Sequence, residues 1–363
     1  MKICFFNSTN VWGGGEKWHL DTALACLKDG HEVRLVGNYQ SELLARASDL
    51  NLKTKAFKLT NLSFLNPFKF LKVFLFLKQQ KFDVIILNFS KDLKIAAPSA
   101  RLAGTARIIY RRGLAIPIKN TSLNRWLFKN CLDDILVNSL ATKKSILQNN
   151  PKLFPENKIK VIYNGVELEQ FKPSSYAVEI NSANCVILNL GRCVFQKGQD
   201  LLIKIAAILK QRGVNCQVKI GGAGVLLPVL KKQAEELGVS DRVEFMGLVS
   251  NSAEFLTNSG GGGIFALTSR WEGFGYVLAE AMACQLPLVA FNVSSNPELI
   301  SDGENGYLVE AYNLEAFADK LQTLIQNPQL CSALGKRGRQ FVEKKFEASK
   351  NMQEVLEYIK APF

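Results

Sequence analysis

The sequence predicts an α/β protein of two doubly wound, Rossmann-like units, and three observations support this fold class. Short apolar runs of strand length alternate with amphipathic segments of helical period, a pattern typical of parallel sheets covered by helices on both faces. The alternation stops in a polar stretch that begins at Pro173 and restarts at Val186. The chain has 363 residues, of which 47% are hydrophobic, and this length suits two domains of about 100–200 residues each.

The first unit is predicted to begin with an apolar strand at 2–7, which a glycine loop at 13–15 joins to an amphipathic helix at 16–28. Gly30 is the residue type that ends such a helix. Helical patterns separate the strands that follow, as a parallel sheet requires. These strands are predicted at 32–37, 54–59, 83–88, 107–110, 134–138 and 158–163.

The second unit repeats this order of strands and helices. Its strands are predicted at 186–190, 217–220, 242–246, 264–268 and 287–291, and its helices at 198–212, 226–237 and 276–284. The rest, about 312–361, has a helical pattern. We therefore predict an N-terminal domain at 1–170, a linker at 171–184 and a C-terminal domain at 185–345, with a final helix at about 346–363 that packs back on the first domain.

Charge is concentrated in the first half of the chain. The whole chain has 45 Lys and Arg against 32 Asp and Glu, but residues 1–170 hold 26 against 13 and the remainder is balanced. This asymmetry indicates that the first domain meets an anionic partner. Since the chain lacks a Cys/His finger and an aromatic-glycine RNA signature, we expect no nucleic-acid partner.

Cysteine and histidine usage argues against a metal centre. Eight cysteines occur without a Cys-x-x-Cys pair, and there are only two histidines, His19 and His31. Most of the cysteines lie in apolar runs, where a buried free thiol is the expected state. We therefore expect no metal, no cofactor and a reducing cytoplasm. No run approaches the roughly 18 apolar residues of a membrane span, and the opening run at 3–6 is too short for a signal peptide.

The segment 269–283 carries the most specific motif. Gly273 and Gly275 lie where a strand gives way to a helix that starts near Tyr276, and a helix N-terminus behind a glycine turn favours an anion such as a diphosphate. Glu272 precedes the turn and Glu280 lies one turn into the helix. On spacing alone, one helix cap and one surface charge is the more common explanation of such a pair of glutamates.

A second cluster of cations lies at the preceding strand–helix junction. Gly191 and Arg192 follow the strand at 186–190, and Lys197 precedes the next helix. Two cations beside a helix N-terminus can neutralise a departing diphosphate without a metal ion. Taken in isolation, they are also compatible with solvated side chains.

These motifs together resemble the Glu-x7-Glu motif of retaining glycosyltransferases with the GT-B fold, specifically glycosyltransferase family 4. The sequence Arg-Trp-Glu-Gly-Phe-Gly at 270–275 and Glu-Ala-Met-Ala at 280–283 make the match specific. The resemblance implies a metal-independent, retaining transfer of a hexose-type sugar from a UDP- or GDP-sugar. The implied acceptor is a cell-surface glycan or glycolipid, such as lipopolysaccharide core, O-antigen or capsule, and we expect a monomer or weak dimer.

The resemblance also assigns roles to individual residues. Glu272 would bind donor-sugar hydroxyls and act in catalysis with Arg192 and Lys197, whose charges would stabilise the departing phosphate, while Glu280 would bind the ribose. The remaining donor-binding positions are implied to be Gly14, Gly15, Gly191, Val249, Gly273, Phe274, Gly275, Tyr276 and Val277.

One position departs from the family pattern. Where members carry His-Gly after the strand at 107–110, this chain has Arg112 followed by Gly113. Arg112 is therefore a catalytic candidate that could hydrogen-bond the donor or clamp an acceptor phosphate or carboxylate, while a structural ion pair is the alternative. A retaining mechanism that needs no side-chain base remains compatible with the substitution.

The segment 57–82 is compatible with two interpretations. It holds seven Phe and five Lys, and helical spacing places Phe76 among Lys69 and Lys72. The ring could insert into an anionic lipid surface at the cytoplasmic face of the inner membrane, or it could be buried with lysine stems packed over it. The function likewise has alternatives: a sugar-nucleotide epimerase or hydrolase on the same fold, or a noncatalytic glycan-binding protein.

Overall fold

The computed structural model describes residues 1–173, 185–258 and 263–361. The predicted linker at 171–184 lies almost wholly outside these ranges. Contacts divide the chain into two compact units, which are described separately: unit 1 is Met1–Asn164 with Lys350–Phe363, and unit 2 is Gly165–Ser349.

Unit 1 contains a seven-stranded sheet in the order β3-β2-β1-β4-β5-β6-β7. All its strand pairs are parallel. The strands are β1 (Lys2–Asn7), β2 (Glu32–Asn38), β3 (Lys53–Phe57), β4 (Val84–Leu87), β5 (Arg107–Arg112), β6 (Asp134–Val137) and β7 (Ile159–Val161). The strand order reverses between β1 and β4, and such a switch point is where open α/β sheets bind ligands.

Six helices connect these strands and cover both faces of the sheet. They are α1 (Gly14–Lys28), α2 (Glu42–Asp49), α3 (Pro67–Gln80), α4 (Ser90–Ala103), α5 (Ser122–Cys131) and α6 (Leu140–Leu147). Apolar residues of α3 to α6 form one core with alternate strand residues such as Ile108 and Tyr110. Apolar residues of α1 and α2 form the other core with the intervening residues, including Ile109.

Unit 2 contains a six-stranded parallel sheet in the order β10-β9-β8-β11-β12-β13. Its strands are β8 (Val186–Leu190), β9 (Gln217–Gly221), β10 (Val243–Gly247), β11 (Ile264–Leu267), β12 (Leu288–Phe291) and β13 (Tyr307–Val309). Its helices are α7 (Gln199–Gln211), α8 (Leu227–Glu236), α9 (Ser252–Asn258), α10 (Tyr276–Ala283), α11 (Asn296–Leu299), α12 (Leu314–Gln326) and α13 (Pro328–Lys345). The switch point lies between β8 and β11.

The last helix, α14 (Ala348–Lys360), belongs almost entirely to unit 1. Val355, Leu356 and Ile359 of α14 join the core that also contains α1 and α2. Arg107 Nη1 donates a hydrogen bond to the Tyr358 carbonyl oxygen (2.7 Å). The C-terminal end of the chain therefore completes the first sheet's helical covering.

The predicted α/β fold of two parallel, doubly wound sheets is confirmed. The sequence reasoning missed the three-residue strand β13, which is too short to show a periodic pattern. Phe76 is buried, with 9% of its surface exposed, and its ring contacts Phe57 and Phe82. The interpretation in which this ring inserts into lipid is therefore wrong. Within the described ranges, every helix is too short or too polar to cross a bilayer.

Candidate functional site

In unit 2, two loops meet at the switch point. β8 and β11 are hydrogen-bonded neighbours, so the loop at 191–198 after β8 and the loop at 268–275 after β11 leave the same edge of the sheet. These loops contain most of the predicted site residues. The structure thus brings together Arg192, Lys197 and Glu272 from segments about 75 positions apart in sequence.

Hydrogen bonds fix the two loops to each other. The Arg270 backbone N–H donates to the Gln196 carbonyl oxygen (2.8 Å), and Gln196 Nε2 donates to the Trp271 carbonyl oxygen (3.0 Å). Thr268 Oγ1 donates to the Gly198 carbonyl oxygen (2.8 Å). Gly198 has φ +63°, and a Cβ at this position would lie 2.1 Å from the Thr268 carbonyl oxygen. The approach of the loops therefore requires glycine at position 198.

Lys197 and Glu272 form an ion pair within these loops. Lys197 Nζ lies 2.6 Å from Glu272 Oε1, and the two side chains are 17% and 6% exposed. Ser269 Oγ donates to the same carboxylate oxygen at 2.7 Å. The Glu272 carboxylate thus has two donors in a poorly hydrated environment, where such charge-assisted hydrogen bonds are strong.

A second ion pair supports this arrangement, and the sequence analysis did not identify it. Arg270 donates from Nη1 and Nη2 to the two carboxylate oxygens of Asp200 at 2.9 and 2.7 Å. Its guanidinium also lies 4.0 Å from the centre of the Phe195 ring. These contacts hold Arg270 beside the loop at 191–198, and they raise the pKa of Arg270 through the Asp200 hydrogen bond. Arg270 therefore positions the residues on either side of it.

The N-terminus of α10 completes the edge of the sheet. Gly275 is the N-cap in a left-handed conformation (φ +87°, ψ 52°). The buried Phe274 ring lies 5.3 Å from the Phe346 ring and anchors the turn below the helix. The first turn of α10 supplies backbone N–H groups and a positive dipole end, and Glu280 lies half-buried one turn along.

Glycines bring the neighbouring loops close together. The Gly191 N–H donates to the Gly221 carbonyl oxygen (2.9 Å), and a Cβ at Gly191 would lie 3.3 Å from the Lys197 side chain. Val249 packs against Gly221, where a Cβ would lie 2.8 Å from Val249 Cγ2. The Arg192 side chain is exposed. Its guanidinium makes no ion pair within the described residues and is available to an incoming anion.

In unit 1, the glycine loop lies over a buried polar cluster. Glu16, in the first turn of α1, is 5% exposed and accepts hydrogen bonds from Asn7 Nδ2 (3.0 Å) and Asn88 Nδ2 (3.3 Å). A Cβ at Gly15 would meet the Asn88 and Arg111 side chains at 3.2 and 3.6 Å. The sequence analysis gave Glu16 no role, although a carboxylate directly after a glycine loop is a recognisable signal.

Arg111 and Arg112 point to opposite faces of the sheet, since successive strand residues alternate. Arg111 is buried, lies 4.8 Å over the Trp18 ring and approaches Gly15. Arg112 donates to the Tyr110 hydroxyl (3.2 Å) and to the Ile116 carbonyl oxygen, on the side of α5. The arginine beside the glycine loop is therefore Arg111, while Arg112 is tied to the loop that follows β5.

Metal-ligating groups do not cluster in the described ranges: no three His, Cys, Asp or Glu side chains come together there. The eight cysteines are free thiols and all are buried. Burial raises the pKa of several of them, for example that of Cys131 to about 11. The groups that the structure offers to a ligand at the edge of unit 2 are thus cations, carboxylates and backbone N–H groups.

Comparison with known families gives two matches that together span most of the chain. Residues 173–341 match the family model described as glycosyl transferases group 1. Residues 12–170 match the model described as glycosyltransferase family 4. The two models correspond closely to the two halves of the chain.

Individual proteins agree with these family matches. The chain is 30% identical over 228 residues to the capsular polysaccharide biosynthesis glycosyltransferase CapM of Staphylococcus aureus; the match covers 60% of this chain and 59% of CapM, less than two thirds of that relative. Among solved structures, HepE from Anabaena in complex with UDP and glucose has a TM-score of 0.84 at 21% identity over the whole of both chains. The lipopolysaccharide outer core galactosyltransferase WaaB has a TM-score of 0.79 at 20% identity, covering 99% of each chain. At these identities the structural likeness establishes the fold.

Proposed function

The chain belongs to the group 1 and family 4 glycosyltransferases with the GT-B fold, and we propose that it is a retaining, metal-independent hexosyltransferase that uses a nucleotide diphosphate sugar. The observation that carries the proposal is the Lys197–Glu272 pair at the switch point of unit 2, beside the N-terminus of α10 and the exposed Arg192. These groups supply positive charge for a diphosphate and a carboxylate for sugar hydroxyls.

The donor half of the mechanism follows from these charges. Arg192, Lys197 and the first-turn N–H groups of α10 stabilise the negative charge that develops on the diphosphate as the bond from the sugar C1 to the phosphate oxygen breaks. Glu272 orients the sugar and Glu280 the ribose. We propose UDP as the nucleotide of the donor, because HepE was solved with UDP, and GDP as the competitor to be tested.

The acceptor half requires no side-chain base. The acceptor oxygen bonds to C1 on the face from which the phosphate leaves, and the departing phosphate oxygen takes the acceptor proton. We assign the acceptor to the glycine loop at the carboxyl edge of unit 1, where Gly14 is exposed and would serve the donor phosphate as well. The buried Arg111 adds positive charge beneath Gly15. The proposed acceptor is a capsule or lipopolysaccharide glycan or its lipid-linked precursor, since CapM and WaaB act in those two systems by name.

The segment 57–82 has the features of a surface that contacts the cytoplasmic face of an anionic membrane. It contains five Lys and no acidic residue, and a row of apolar side chains at three- or four-residue spacing faces solvent there. These are Leu62, Leu65, Phe68, Leu71 and Leu75, with Phe68 74% exposed. Apolar side chains bordered by lysines suit insertion among anionic headgroups.

Vesicle co-sedimentation tests this membrane contact separately from catalysis. Leu65→Ser/Phe68→Ser should lose binding to vesicles that contain phosphatidylglycerol. The control Val225→Ser/Leu248→Ser removes two apolar side chains of unit 2 that are even more exposed, and it should bind as the native protein does. Equal binding by all three proteins, or binding independent of phosphatidylglycerol, would show that this surface is not used.

Calorimetry followed by product analysis tests the enzymatic proposal. UDP should bind in the absence of metal, and Glu280→Ala should weaken binding about 10- to 100-fold, because a charged acceptor loses its ribose hydroxyls. Glu310→Ala, at an exposed position, should not. NMR of the product should show the donor's anomeric configuration. Turnover of UDP-sugar without acceptor would indicate an epimerase or hydrolase instead, and binding without any turnover a noncatalytic protein.

A further inference from the structure

The excess positive charge of the chain is confined to one stretch of unit 1. Residues 58–158 hold 18 Lys and Arg against five Asp and Glu, a difference equal to the formal net charge of +13 for the whole chain. This stretch contains α3, α4, α5 and α6, which pack on a single face of the seven-stranded sheet. Arg107 and Arg111 of β5 point to the opposite face, toward α14 and α1, so most but not all of the excess lies on the face that α3 to α6 cover.

Most of the acidic residues in this stretch are already engaged. Asp92 is buried and the others form ion pairs or hydrogen bonds with nearby groups. Their partners are Ser8 for Asp92, Arg101 for Asp133, Arg107 for Asp134 and Lys143 for Glu156. Within the described residues, the lysines of this stretch other than Lys143 form no ion pair that would offset their charge.

Several of these cations surround a cavity of about 410 Å³ between α5 and the chain that leads into β7. Its cationic lining consists of Arg125, Lys129, Lys152 and Lys158, and its lining contains no carboxylate. In the described ranges, none of the four side chains forms an ion pair. A cavity of this volume lies within the usual range of small-molecule sites, about 300–1,000 Å³.

The polar wall of the cavity is ordered by hydrogen bonds. Arg125 Nη1 donates to Asn120 Oδ1 (3.0 Å) and Arg125 Nη2 to Ser122 Oγ (3.0 Å). Asn150 Nδ2 donates to the same Asn120 oxygen at 3.2 Å, and the backbone N–H of Lys152 donates to Asn150 Oδ1 at 3.0 Å. Arg125 and the chain at 150–152 are thus held together before any ligand binds.

The inner wall is apolar and rigidly packed. Phe128, Leu132, Leu153 and Phe154 line it, and each is at most 6% exposed. The Phe128 and Phe154 rings meet edge to face, with centroids 6.2 Å apart. The cavity therefore offers a small apolar surface, formed by the outer edges of these side chains, with exposed cations around it.

We propose that this cavity binds a phosphate ester that carries an apolar body. Cations without carboxylate partners favour a phosphate, and the apolar inner wall favours more than a bare inorganic anion. Lys158 lies directly before the first residue of β7, at the amino end of that strand. The glycine loop follows the carboxyl end of β1, so the cavity is separate from the residues assigned to the acceptor and rests on no part of the proposed function.

Calorimetry with soluble probes tests this site in the full chain without a sugar donor. Dihexanoyl phosphatidic acid, below its micelle concentration, should bind saturably, and dihexanoyl phosphatidylcholine should not. Arg125→Glu/Lys152→Glu should weaken binding about tenfold or more, since two charge-assisted contacts become repulsive. The control Lys72→Glu/Lys144→Glu makes the same charge change on exposed lysines of the same face and should weaken binding less than about twofold.

The probes also separate the two sources of phosphate. Binding of dihexanoyl phosphatidic acid but not glucose 1-phosphate supports a lipid phosphate, whereas comparable binding of glucose 1-phosphate supports a soluble phosphate ester. The proposal is overturned if inorganic phosphate binds as tightly as either ester, because the apolar wall then contributes nothing. It is also overturned if no probe binds saturably, or if the control variant loses as much affinity as Arg125→Glu/Lys152→Glu.

Discussion

Lys197 Nζ lies 2.6 Å from Glu272 Oε1, so that the cation assigned to the donor phosphate and the carboxylate assigned to the donor sugar are bonded to each other. The ammonium group has three donors and uses one of them here. It can therefore remain on Glu272 while it turns another donor toward a phosphate oxygen. The pair keeps both groups in place before the substrate arrives, which lowers the cost of organising the site.

Removal of the lysine charge should thus affect catalysis more than nucleotide binding. Lys197→Met is expected to lower kcat about 100- to 1,000-fold, the usual loss when one preorganised donor to a developing charge is removed. Steady-state kinetics with UDP-sugar measures this. Lys204→Met, at an exposed position of α7, is the matched control and should leave kcat unchanged. A fall in UDP affinity that accounts for the whole loss of kcat/KM would assign Lys197 to ground-state binding instead.

The contact between Gly198 and Thr268 predicts a difference between two glycine substitutions. Both Gly198 and Gly213 have positive φ, +63° and +71°, but an added Cβ meets the Thr268 carbonyl oxygen at 2.1 Å in the first case and nothing within 4 Å in the second. Gly213→Ala should cost about 1 kcal/mol of unfolding free energy for the left-handed backbone alone. Gly198→Ala should cost roughly 2 kcal/mol more through the clash. Urea unfolding followed by circular dichroism compares them, and equal midpoints would contradict the steric argument.

The sequence allowed the fold and the main site segments to be predicted because they depend on local signals. Strand–helix alternation, glycine turns and a helix start after Gly275 are all encoded within a few residues. The Arg270–Asp200 pair joins a loop to the first turn of α7, 70 positions away in sequence, and a periodic pattern does not predict contacts over such a separation. Phe76 shows the same limit, since its helical position is compatible with both exposure and burial, and its contact with Phe57 on β3 decides for burial. The burial and the partners of such residues depend on tertiary contacts rather than on local propensities.

Asp92 should make stability depend on pH in the acidic range. Burial raises the pKa of its carboxyl to about 6, although the Ser8 and Phe89 hydrogen bonds oppose the rise. The folded state holds this proton more tightly than the unfolded state does. The contribution of the carboxyl to the free energy of unfolding is therefore complete below about pH 4. It falls by on the order of 3 kcal/mol as the pH rises to about 6.

Comparison of native protein with Asp92→Asn isolates this effect. The difference in unfolding free energy, native minus variant, should decrease between about pH 4 and pH 6 and stay level above it. Asp241 provides a contrast, since the Lys210 hydrogen bond lowers its pKa; the corresponding difference for Asp241→Asn should increase with pH. A difference that is level across the range for Asp92→Asn would mean that this carboxyl is ionised in the folded protein throughout.

His19 should give the opposite pH dependence to Asp92. It is fully buried between Phe5 and Trp18, and in the described structure neither ring nitrogen has a hydrogen-bond partner. Burial, together with the nearby Arg111 charge, holds the pKa of His19 well below its usual value of 6.5. As the pH falls, His19 is protonated in the unfolded chain but stays neutral in the folded protein. Its contribution to the free energy of unfolding is therefore complete above about pH 6.5 and is lost as the pH falls.

Replacement of the ring by an apolar side chain should remove this sensitivity. His19→Leu is expected to gain stability relative to the native protein as the pH falls from 7 to 5, measured by urea unfolding at each pH. Thr22→Val on the same helix also removes a buried polar group without a partner, but threonine does not titrate, so its effect should be the same at both pH values. If the two variants change in parallel, the acid sensitivity belongs to other groups, because only a protonating side chain can make the effect of its own removal depend on pH.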